Sequence, residues 1–435
     1  MKITIIGTGY VGLVSGACFA ELGHEVLCID KNKEKIRTLE SGSIPFFEPG
    51  LAEIVKSNCH EGRLSFSTEI ERGVEHGTVI FVAVDTPSKP TGEADLSSVE
   101  NVAEQIASCL SREYRLIVEK STVPVQTGQW LSETIRKHAS PEADFDVASN
   151  PEFLREGTAV NDFLKPDRVV IGITSDRASS LLVKLYEPLN APLLITDINS
   201  AELIKHSANA YLAMKISFIN SIADICDLAG ADVKKVARGI GLDRRIGMDF
   251  LNAGIGYGGS CFPKDVSAFI NIAGEKGFDF NILKAVQEVN MTQHAIAVER
   301  LESIFGEGGV KGRRIALFGL SFKPNTDDLR NAPSLVLIGN LKAKGAVVSA
   351  YDPVAMDNAR KIIPDGSIDY ASDPYEAAAG ADAVILVTEW REFAVLDFIR
   401  IKESMARPVF IDGRNMCDPS RMRAMGFEYS GIGRR

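Results

Sequence analysis

The stretch Ile3-Thr4-Ile5-Ile6-Gly7-Thr8-Gly9-Tyr10-Val11-Gly12 decides how the fold is read. Four consecutive β-branched residues form a strand, and Gly7, Gly9 and Gly12 then set out a G-x-G-x-x-G pattern that opens a helix. Glycines at those positions allow a tight turn and let backbone N–H groups approach a pyrophosphate at the helix N-terminus. A second apolar run, 26–29, ends at Asp30, where a carboxylate can take the ribose hydroxyls of an adenosine and repel a 2′-phosphate. The pattern therefore predicts NAD rather than NADP. A glycine motif alone is equally a structural turn beside a solvated aspartate; the strand–turn–helix–strand context is what argues for a dinucleotide.

Working outward, the same alternation continues through the first 200 residues, with strands expected at 3–6, 26–29, 79–84, 116–119, 145–148 and 169–173. Strands separated by helical patterns predict βαβ units around a parallel sheet. Ligands of such sheets bind beyond the carboxyl ends of the strands. Polar clusters follow those ends here: Asp85-Thr86-Pro87, Lys120-Ser121-Thr122 and Asn150-Pro151-Glu152. Residues 201–229 lack Gly and Pro, predicting a long helix with Asn199 or Ser200 as cap and Gly230 as terminator. At ~1.5 Å per residue it would run about 43 Å, enough to connect two domains. A second Gly/Pro-free stretch, 278–305, also reads as helical. The run GEGGVKG at 306–312 is the clearest linker, and after it strands restart at 314–319, 347–351, 384–387 and 409–411. The expected fold class is α/β: two Rossmann-like doubly wound domains joined by a central helical domain with a long connecting helix. The expected boundaries are 1–200, 201–305 and 306–435.

The chain has 435 residues, 45% hydrophobic and 24% charged, an ordinary globular composition. Its formal charge of −10 argues against a general binder of nucleic acid or membrane surfaces. The uncharged run 3–20 superficially resembles a secretory signal, but its four glycines suit a strand, turn and helix start better. Seven cysteines without C-x-x-C pairing do not make a disulfide framework, and a reducing, cytoplasmic location is expected. The six histidines show no metal-binding spacing, so no metal is expected.

Two further constellations carry chemistry. Lys205 and Asn209 stand at i, i+4 and hence on one helix face, where an ammonium and an amide can stabilise an alkoxide or oxyanion. Without other context a surface lysine and an ordinary asparagine fit those positions as well. The loop Gly256-Tyr257-Gly258-Gly259-Ser260-Cys261-Phe262-Pro263-Lys264-Asp265 is more specific. Pro263 suits the first turn of a helix, which sets the Cys261 thiol at a helix N-terminus, where the dipole favours thiolate. Asp265, four residues on, reaches the same face as a candidate base or water-positioning group. The other cysteines (18, 28, 59, 109, 226 and 417) read as small core hydrophobes.

Together these segments resemble the nucleotide-sugar 6-dehydrogenase family, over essentially the whole chain. The matching segments are GTGYVG at 7–12, FEPGL at 47–51, EKSTVP at 119–124, NPEFLREG at 150–157 and AELIKHSANAYLAMKISFIN at 201–220. They continue with RIGMDFLNAGIGYGGSCFPKD at 245–265, GLSFKPNTDDLRNAPS at 319–334 and TEWREF at 388–393. The chain departs at Ser221, where the family suggests glutamate, and at Asp85, where related sequences vary.

The resemblance implies a four-electron oxidation of a primary alcohol to a carboxylate, using two NAD and one water. UDP-glucose is the implied substrate and UDP-glucuronate the product, with GDP-mannose or a UDP-N-acetylhexosamine as alternatives. It implies Cys261 as nucleophile, Lys205 and Asn209 as oxyanion holders, and Asp265, Thr122 and Glu152 as groups ordering water or moving protons. NAD is then held by Val11, Asp30, Lys35, Thr86, Thr122, Glu156, Lys264 and Arg330, beside the glycines already named. The substrate meets Glu152, Phe153, Leu154, Arg155, Phe250, Leu251, Asn252, Ala253, Gly254, Tyr257, Gly258, Lys323 and Arg414. Arg245 matches a residue that reaches the neighbouring subunit's substrate, implying a homodimer. A two-electron 3-hydroxyacid dehydrogenase shares the Lys-x-x-x-Asn helix but lacks the Cys261 loop and third domain. A non-catalytic nucleotide-sugar-binding regulator would not need Cys261, Lys205, Asn209 and Asp265 intact.

Overall fold

The computed structural model describes residues 1–87, 89, 92–364 and 366–434. By its internal contacts the chain forms two compact units, Met1–Ala208 with Ser267–Gly277, and Asn209–Val266 with Phe278–Arg435. The segment 201–305, read from sequence as a central domain, is thus shared between the two units.

The first unit is built on β1 (Lys2–Ile6), β2 (Glu25–Ile29), β3 (Leu64–Ser67), β4 (Val79–Val82), β5 (Arg115–Glu119), β6 (Phe145–Ser149), β7 (Val169–Gly172) and β8 (Leu193–Thr196). Their order is β3-β2-β1-β4-β5-β6-β7-β8, and only the β6–β7 pairing is antiparallel. The register places Ile5 of β1 opposite Cys28 of β2 and Phe81 of β4. Alternate residues feed separate cores: Ile3, Ile5, Val26, Cys28 and Phe81 on one face, Ile6, Leu27, Ile29, Ile80 and Val82 on the other. Burial on both faces is why these strands read as continuous apolar runs. The runs at 79–84 and 169–173 prove shorter as strands, and β3 and β8 were not foreseen. β3 alternates Leu and Phe with serines, and β8 is an edge strand that leaves Leu194 and Ile195 exposed.

The second unit repeats the topology with β9 (Arg314–Phe318), β10 (Val347–Tyr351), β11 (Asp369–Tyr370), β12 (Ala383–Leu386), β13 (Val409–Asp412) and β14 (Glu428–Gly431). The order is β11-β10-β9-β12-β13-β14, with every pairing parallel. The linker at 306–312 supplies left-handed turns at Gly306, Gly308, Gly309 and Gly312 before β9.

The long helix runs Ile198–Ala229 and starts earlier than expected. Its first turn is held by Asp197, whose carboxylate accepts from Ser200 N at 2.8 Å, rather than by Asn199 or Ser200. The apolar stretch at 278–305 is two helices, Asn281–Gln293 and Ile296–Phe305. The break falls where Gln293 and His294 turn their side chains to the carbonyls of Gly254 and Tyr257. No helix among the described residues is long and apolar enough to cross a membrane.

Candidate functional site

In the first unit the switch point lies between β1 and β4, where strand order reverses and open α/β sheets bind their ligands. Gly7 has φ +100°, and a Cβ there would stand 2.4 Å from the Ala83 carbonyl oxygen. A Cβ on Gly12 would stand 1.9 Å from the Gly7 carbonyl oxygen, so both positions demand glycine. The helix Tyr10–Glu21 has no side-chain cap at Gly9, and the Gly9 carbonyl accepts from Leu13 N at 2.9 Å. The N–H groups of Tyr10, Val11 and Gly12 therefore face out of the helix, as a pyrophosphate requires.

At the end of β2, Asp30 Oδ2 accepts from Thr8 N (3.0 Å), Thr8 Oγ1 (2.8 Å) and Lys35 Nζ (2.8 Å). Burial opposes its ionisation, but Lys35 and the Asn32 and Thr8 donors prevail and hold the carboxyl below its ordinary value. Thr86 is buried, and its hydroxyl donates to the Thr122 carbonyl at 2.9 Å, joining the loops after β4 and β5. This glycine cradle, uncapped helix and ionised acid fit NAD.

The same unit gathers a buried polar cluster around the loops after β5 and β6. Lys205 Nζ donates to Glu152 Oε1 at 2.9 Å, and Glu152 Oε2 accepts from Leu154 N at 2.5 Å. Lys120 donates to Asn150 Oδ1 at 2.9 Å and to its carbonyl at 3.3 Å. Burial pushes Lys120 down to about 8, with Glu152 opposing and Lys205 adding to the shift. Burial likewise pushes Glu119 up to about 8, the neighbouring Glu202 charge contributing.

The start of the long helix holds these loops. Glu202 accepts from Gln126 N and Gly128 N, both at 2.7 Å, while His206 Nε2 donates to the Val123 carbonyl at 2.7 Å. Lys205 Nζ also lies 5.5 Å from the centre of the Phe153 ring, against which Arg168 is stacked at 3.6 Å. Arg155 pairs with Asp162 at 2.6 Å, and Glu156 is buried.

In the second unit the Gly-rich loop presents Cys261 at the head of the helix Phe262–Glu275, its carbonyl accepting from Asp265 N at 2.8 Å. The thiol is thus at a helix N-terminus, as the position of Pro263 predicts. Asp265 is 1% exposed and held from two sides, by Asn209 Nδ2 at 2.6 Å and Lys264 Nζ at 2.7 Å. The Asn209 amide has two N–H groups, of which this bond uses one. Close backbone approach shapes the loop: a Cβ on Gly258 would meet the Asn331 carbonyl oxygen at 2.2 Å. Burial pushes the Cys18 thiol up to about 12 and also raises Cys28, Cys59, Cys226 and Cys417. A raised thiol is a poor nucleophile at neutral pH.

Of the other residues foreseen for ligand binding, Arg414 and Arg330 bond to that loop. Arg414 donates to the Gly256 carbonyl at 2.8 Å and the Val387 carbonyl at 2.7 Å. Arg330 offers its carbonyl to Gly259 N at 2.9 Å while its guanidinium pairs with Asp328 at 2.8 Å. Gly254 N donates to Asn220 Oδ1 at 2.9 Å, and Tyr257 N to Asn290 Oδ1 at 2.8 Å. Leu251, Ala253 and Tyr257 are buried, Asn252 is exposed, and Phe250 holds a left-handed backbone at φ +62°. Lys323 is half-buried with its ammonium 5.4 Å from the Phe322 ring centre. Arg245 pairs with Asp243 at 2.6 Å and leaves 89% of its side chain exposed. The acid at the end of β10, Asp352, is buried and accepts from Leu320 N, Ser321 N, Val354 N, Ala355 N and Trp390 Nε1. Its lone pairs are consumed by the protein, so Asp352 is not offered to a ribose.

Sequence reasoning singled out neither Glu202 nor His206 and saw Lys120 only as part of a polar cluster after a strand. A signal for two of them was present, since Glu202, Lys205, His206 and Asn209 follow the i, i+3, i+4, i+7 stripe of one helix face.

A dinucleotide cradle in one unit and a helix-capping cysteine beside a fixed carboxylate in the other define an NAD-dependent oxidoreductase. The chain belongs to the UDP-glucose/GDP-mannose dehydrogenase family: residues 1–190 match its NAD binding domain, 199–292 its central domain and 316–419 its UDP binding domain. It is 48% identical to the UDP-glucose 6-dehydrogenase TuaD of Bacillus subtilis, covering 100% of this chain and 93% of that protein. It is also 48% identical to a UDP-glucose 6-dehydrogenase of Rhizobium meliloti, over 100% of both. Among solved structures it resembles a UDP-glucose dehydrogenase from Pyrobaculum islandicum, with TM-score 0.93 and 39% identity over 100% of this chain and 98% of that one.

Proposed function

We propose that the protein oxidises UDP-glucose to UDP-glucuronate in two NAD-dependent steps, with one water consumed. The observation that carries this reading is Cys261 at the head of its helix, one turn before the immobilised Asp265. The Gly7–Gly9–Val11–Gly12 turn with Asp30, Lys35, Thr86, Thr122, Glu156, Lys264 and Arg330 would hold NAD, which would supply the hydride acceptor for each oxidation. The Cys261 thiolate adds to the C6 aldehyde carbon, giving a thiohemiacetal, and the second oxidation leaves a thioester on the same sulfur. Lys205 and Asn209 hold the oxyanion, where preorganised donors count most. Asp265, with Thr122 and Glu152, orders the water that releases the carboxylate. A thioester divides one difficult oxidation into two easier steps.

Glu152 to Arg155, Phe250 to Gly254, Tyr257, Gly258, Lys323 and Arg414 contact the nucleotide sugar in this reading. Residues 1–200 serve NAD, 201–305 catalysis and dimerisation, and 306–435 the UDP moiety. The strong identity to UDP-glucose 6-dehydrogenases favours UDP-glucose over GDP-mannose or a UDP-N-acetylhexosamine. A cytoplasmic setting is the reading that fits seven cysteines without C-x-x-C pairing. A homodimer is supported by exposed Tyr211, Phe218 and Ile225, spaced by seven along the long helix, and in such a pair Arg245 would reach the partner's substrate.

The test is to supply UDP-glucose and NAD and count NADH per product acid. Two are expected, and one NADH with aldehyde released overturns the scheme. A panel of UDP- and GDP-sugars assays the alternatives. Replacement of Cys261 by alanine is expected to abolish acid formation while NAD binding persists.

A further inference from the structure

Glu48 lies in the FEPGL motif, outside every role assigned above, and is 3% exposed. Its carboxylate is a junction. Oε1 accepts from Ala159 N at 2.7 Å, and Oε2 accepts from Gly157 N at 2.6 Å and from the Tyr10 hydroxyl. Among the described residues no lysine, arginine or histidine pairs with it, so these donors alone offset its burial. A buried carboxylate is tolerated only when its oxygens are so satisfied. The three donors come from two different functional segments. Tyr10 is the first residue of the helix that follows the glycine turn, its ring centre 5.0 Å from that of Phe46. Gly157, at φ +82°, closes the segment 150–157 that carries Glu152 and Glu156.

That segment is anchored elsewhere as well. At its start Asn150 N donates to the Glu119 carbonyl at 2.8 Å and Asn150 Nδ2 to the Val170 carbonyl at 2.8 Å. In the middle Glu152 meets Lys205. At its end the anchor is Glu48, and burial with the adjacent Glu48 charge raises the Tyr10 hydroxyl far above its ordinary value, so it remains a donor.

We propose that Glu48 is a positioning residue that fastens the end of the 150–157 segment to the head of the dinucleotide helix, fixing Glu152 and Glu156 relative to the phosphate turn. Glu48 touches neither substrate nor cofactor in this role. It acts through the backbone of Gly157 and Ala159. The inference rests on the reading of the protein as a UDP-glucose oxidising enzyme. It explains why an acid stands in FEPGL: a glutamine there would set an amide N–H against donors that need an acceptor.

The test uses Glu48→Gln and Tyr10→Phe in the full-length protein, assayed well below the melting temperature of each. Loss of alignment at the reacting centre is costly even for displacements of ~1 Å, up to about 100-fold. Glu48→Gln is expected to lower kcat with UDP-glucose at least tenfold while the Kd for NADH shifts less than threefold, because Gly7, Gly9 and Gly12 are intact. Tyr10→Phe keeps the ring and the two backbone bonds and is expected to give a smaller loss of the same kind. A folded Glu48→Gln protein with wild-type kcat overturns the proposal, as does a loss matched by the unfolded fraction. If Glu48→Gln does not fold, Tyr10→Phe decides: unchanged kcat and KM overturn it. Wild-type protein run alongside separates the two claims. If it does not oxidise UDP-glucose the enzymatic reading fails, and hydrogen exchange at the Gly157 and Ala159 amides still tests the clamp. Protection lost in Glu48→Gln supports the fastening, and protection retained refutes it.

Discussion

Lys205 Nζ and Glu152 Oε1 form a 2.9 Å ion pair whose side chains are only 4% and 5% exposed. Burying two charges costs free energy that their attraction offsets only with good geometry, and removing one partner strands the other. A pair so placed on the long helix and the loop after β6 is held for more than stability. Lys205→Met and Glu152→Gln are each expected to lower kcat ~100-fold, the scale of a lost oxyanion donor. The double variant is expected to be little worse than either single one, because groups in contact are non-additive. Stopped-flow and steady-state kinetics on the three variants measure this, and strictly multiplicative losses would show that the two residues act independently.

Cofactor choice follows from a second acid–base contact. Asp30 holds Lys35 at 2.8 Å, so the acid both neutralises that lysine and repels a 2′-phosphate. Asp30→Ala removes the repulsion and releases Lys35 toward the phosphate. The ratio of kcat/KM for NAD over NADP is expected to fall at least tenfold, with KM for NAD rising. An unchanged ratio would mean that Asp30 does not face the ribose.

Those two contacts differ in how visible they were beforehand. Asp30 and the glycine turn were legible because strand, turn and acid lie within 30 residues and each has a local conformational reason. Cys261 was legible for the same reason, with Pro263 marking the helix start. The Glu152–Lys205 pair joins residues 53 apart, and the Glu202 bond to Gln126 spans 76; side-chain chemistry alone does not announce such partners. Both sheets were foreseen from their apolar runs, whereas the antiparallel β6–β7 pairing and the strands β3, β8, β11 and β14 were not. Those strands lie in the outer parts of their sheets, where burial on both faces no longer writes a continuous apolar run.

Glu119 sets a pH dependence. Its Oε1 accepts from Ser121 N at 2.8 Å, while its buried Oε2 has no hydrogen-bond partner among the described residues. Burial first, and then the Glu202 charge, raise the group from 4.5 to about 8 in the folded protein. A carboxyl raised on folding favours the native state fully below its unfolded value, and that contribution is lost as pH climbs toward 8. The slope is about 1.4 kcal/mol per pH unit per group within the window. Glu202, raised to about 7, adds in the same direction, while Lys120, lowered to about 8, changes little below that value. Glu119→Gln is therefore expected to flatten the decline of denaturant stability between pH 5 and 8. Parallel stability–pH curves for the two proteins would sink this account.

The long helix supplies the last prediction. Tyr211, Phe218 and Ile225 are more than half exposed, at 54%, 52% and 57%, and recur every seven residues. A heptad spacing keeps side chains on one seam, which suits a partner helix. Leu228, 86% exposed, extends the apolar surface toward the end of the helix. Water-exposed aromatic and aliphatic groups in such a row favour burial against a second copy, by roughly 1.5–3 kcal/mol for each large side chain fully covered. A charge at the middle of the row, Phe218→Glu, would have to be buried twice in a symmetric pair. Sedimentation velocity is expected to show the wild-type protein at twice the 47.2 kDa chain mass and Phe218→Glu at the chain mass, with circular dichroism unchanged. On the proposed reading Arg245, whose side chain is 89% exposed, reaches the partner's substrate, so activity is expected to fall with dimer dissociation. A fully active Phe218→Glu monomer would separate Arg245 from catalysis, and a Phe218→Glu dimer would move the interface off this helix.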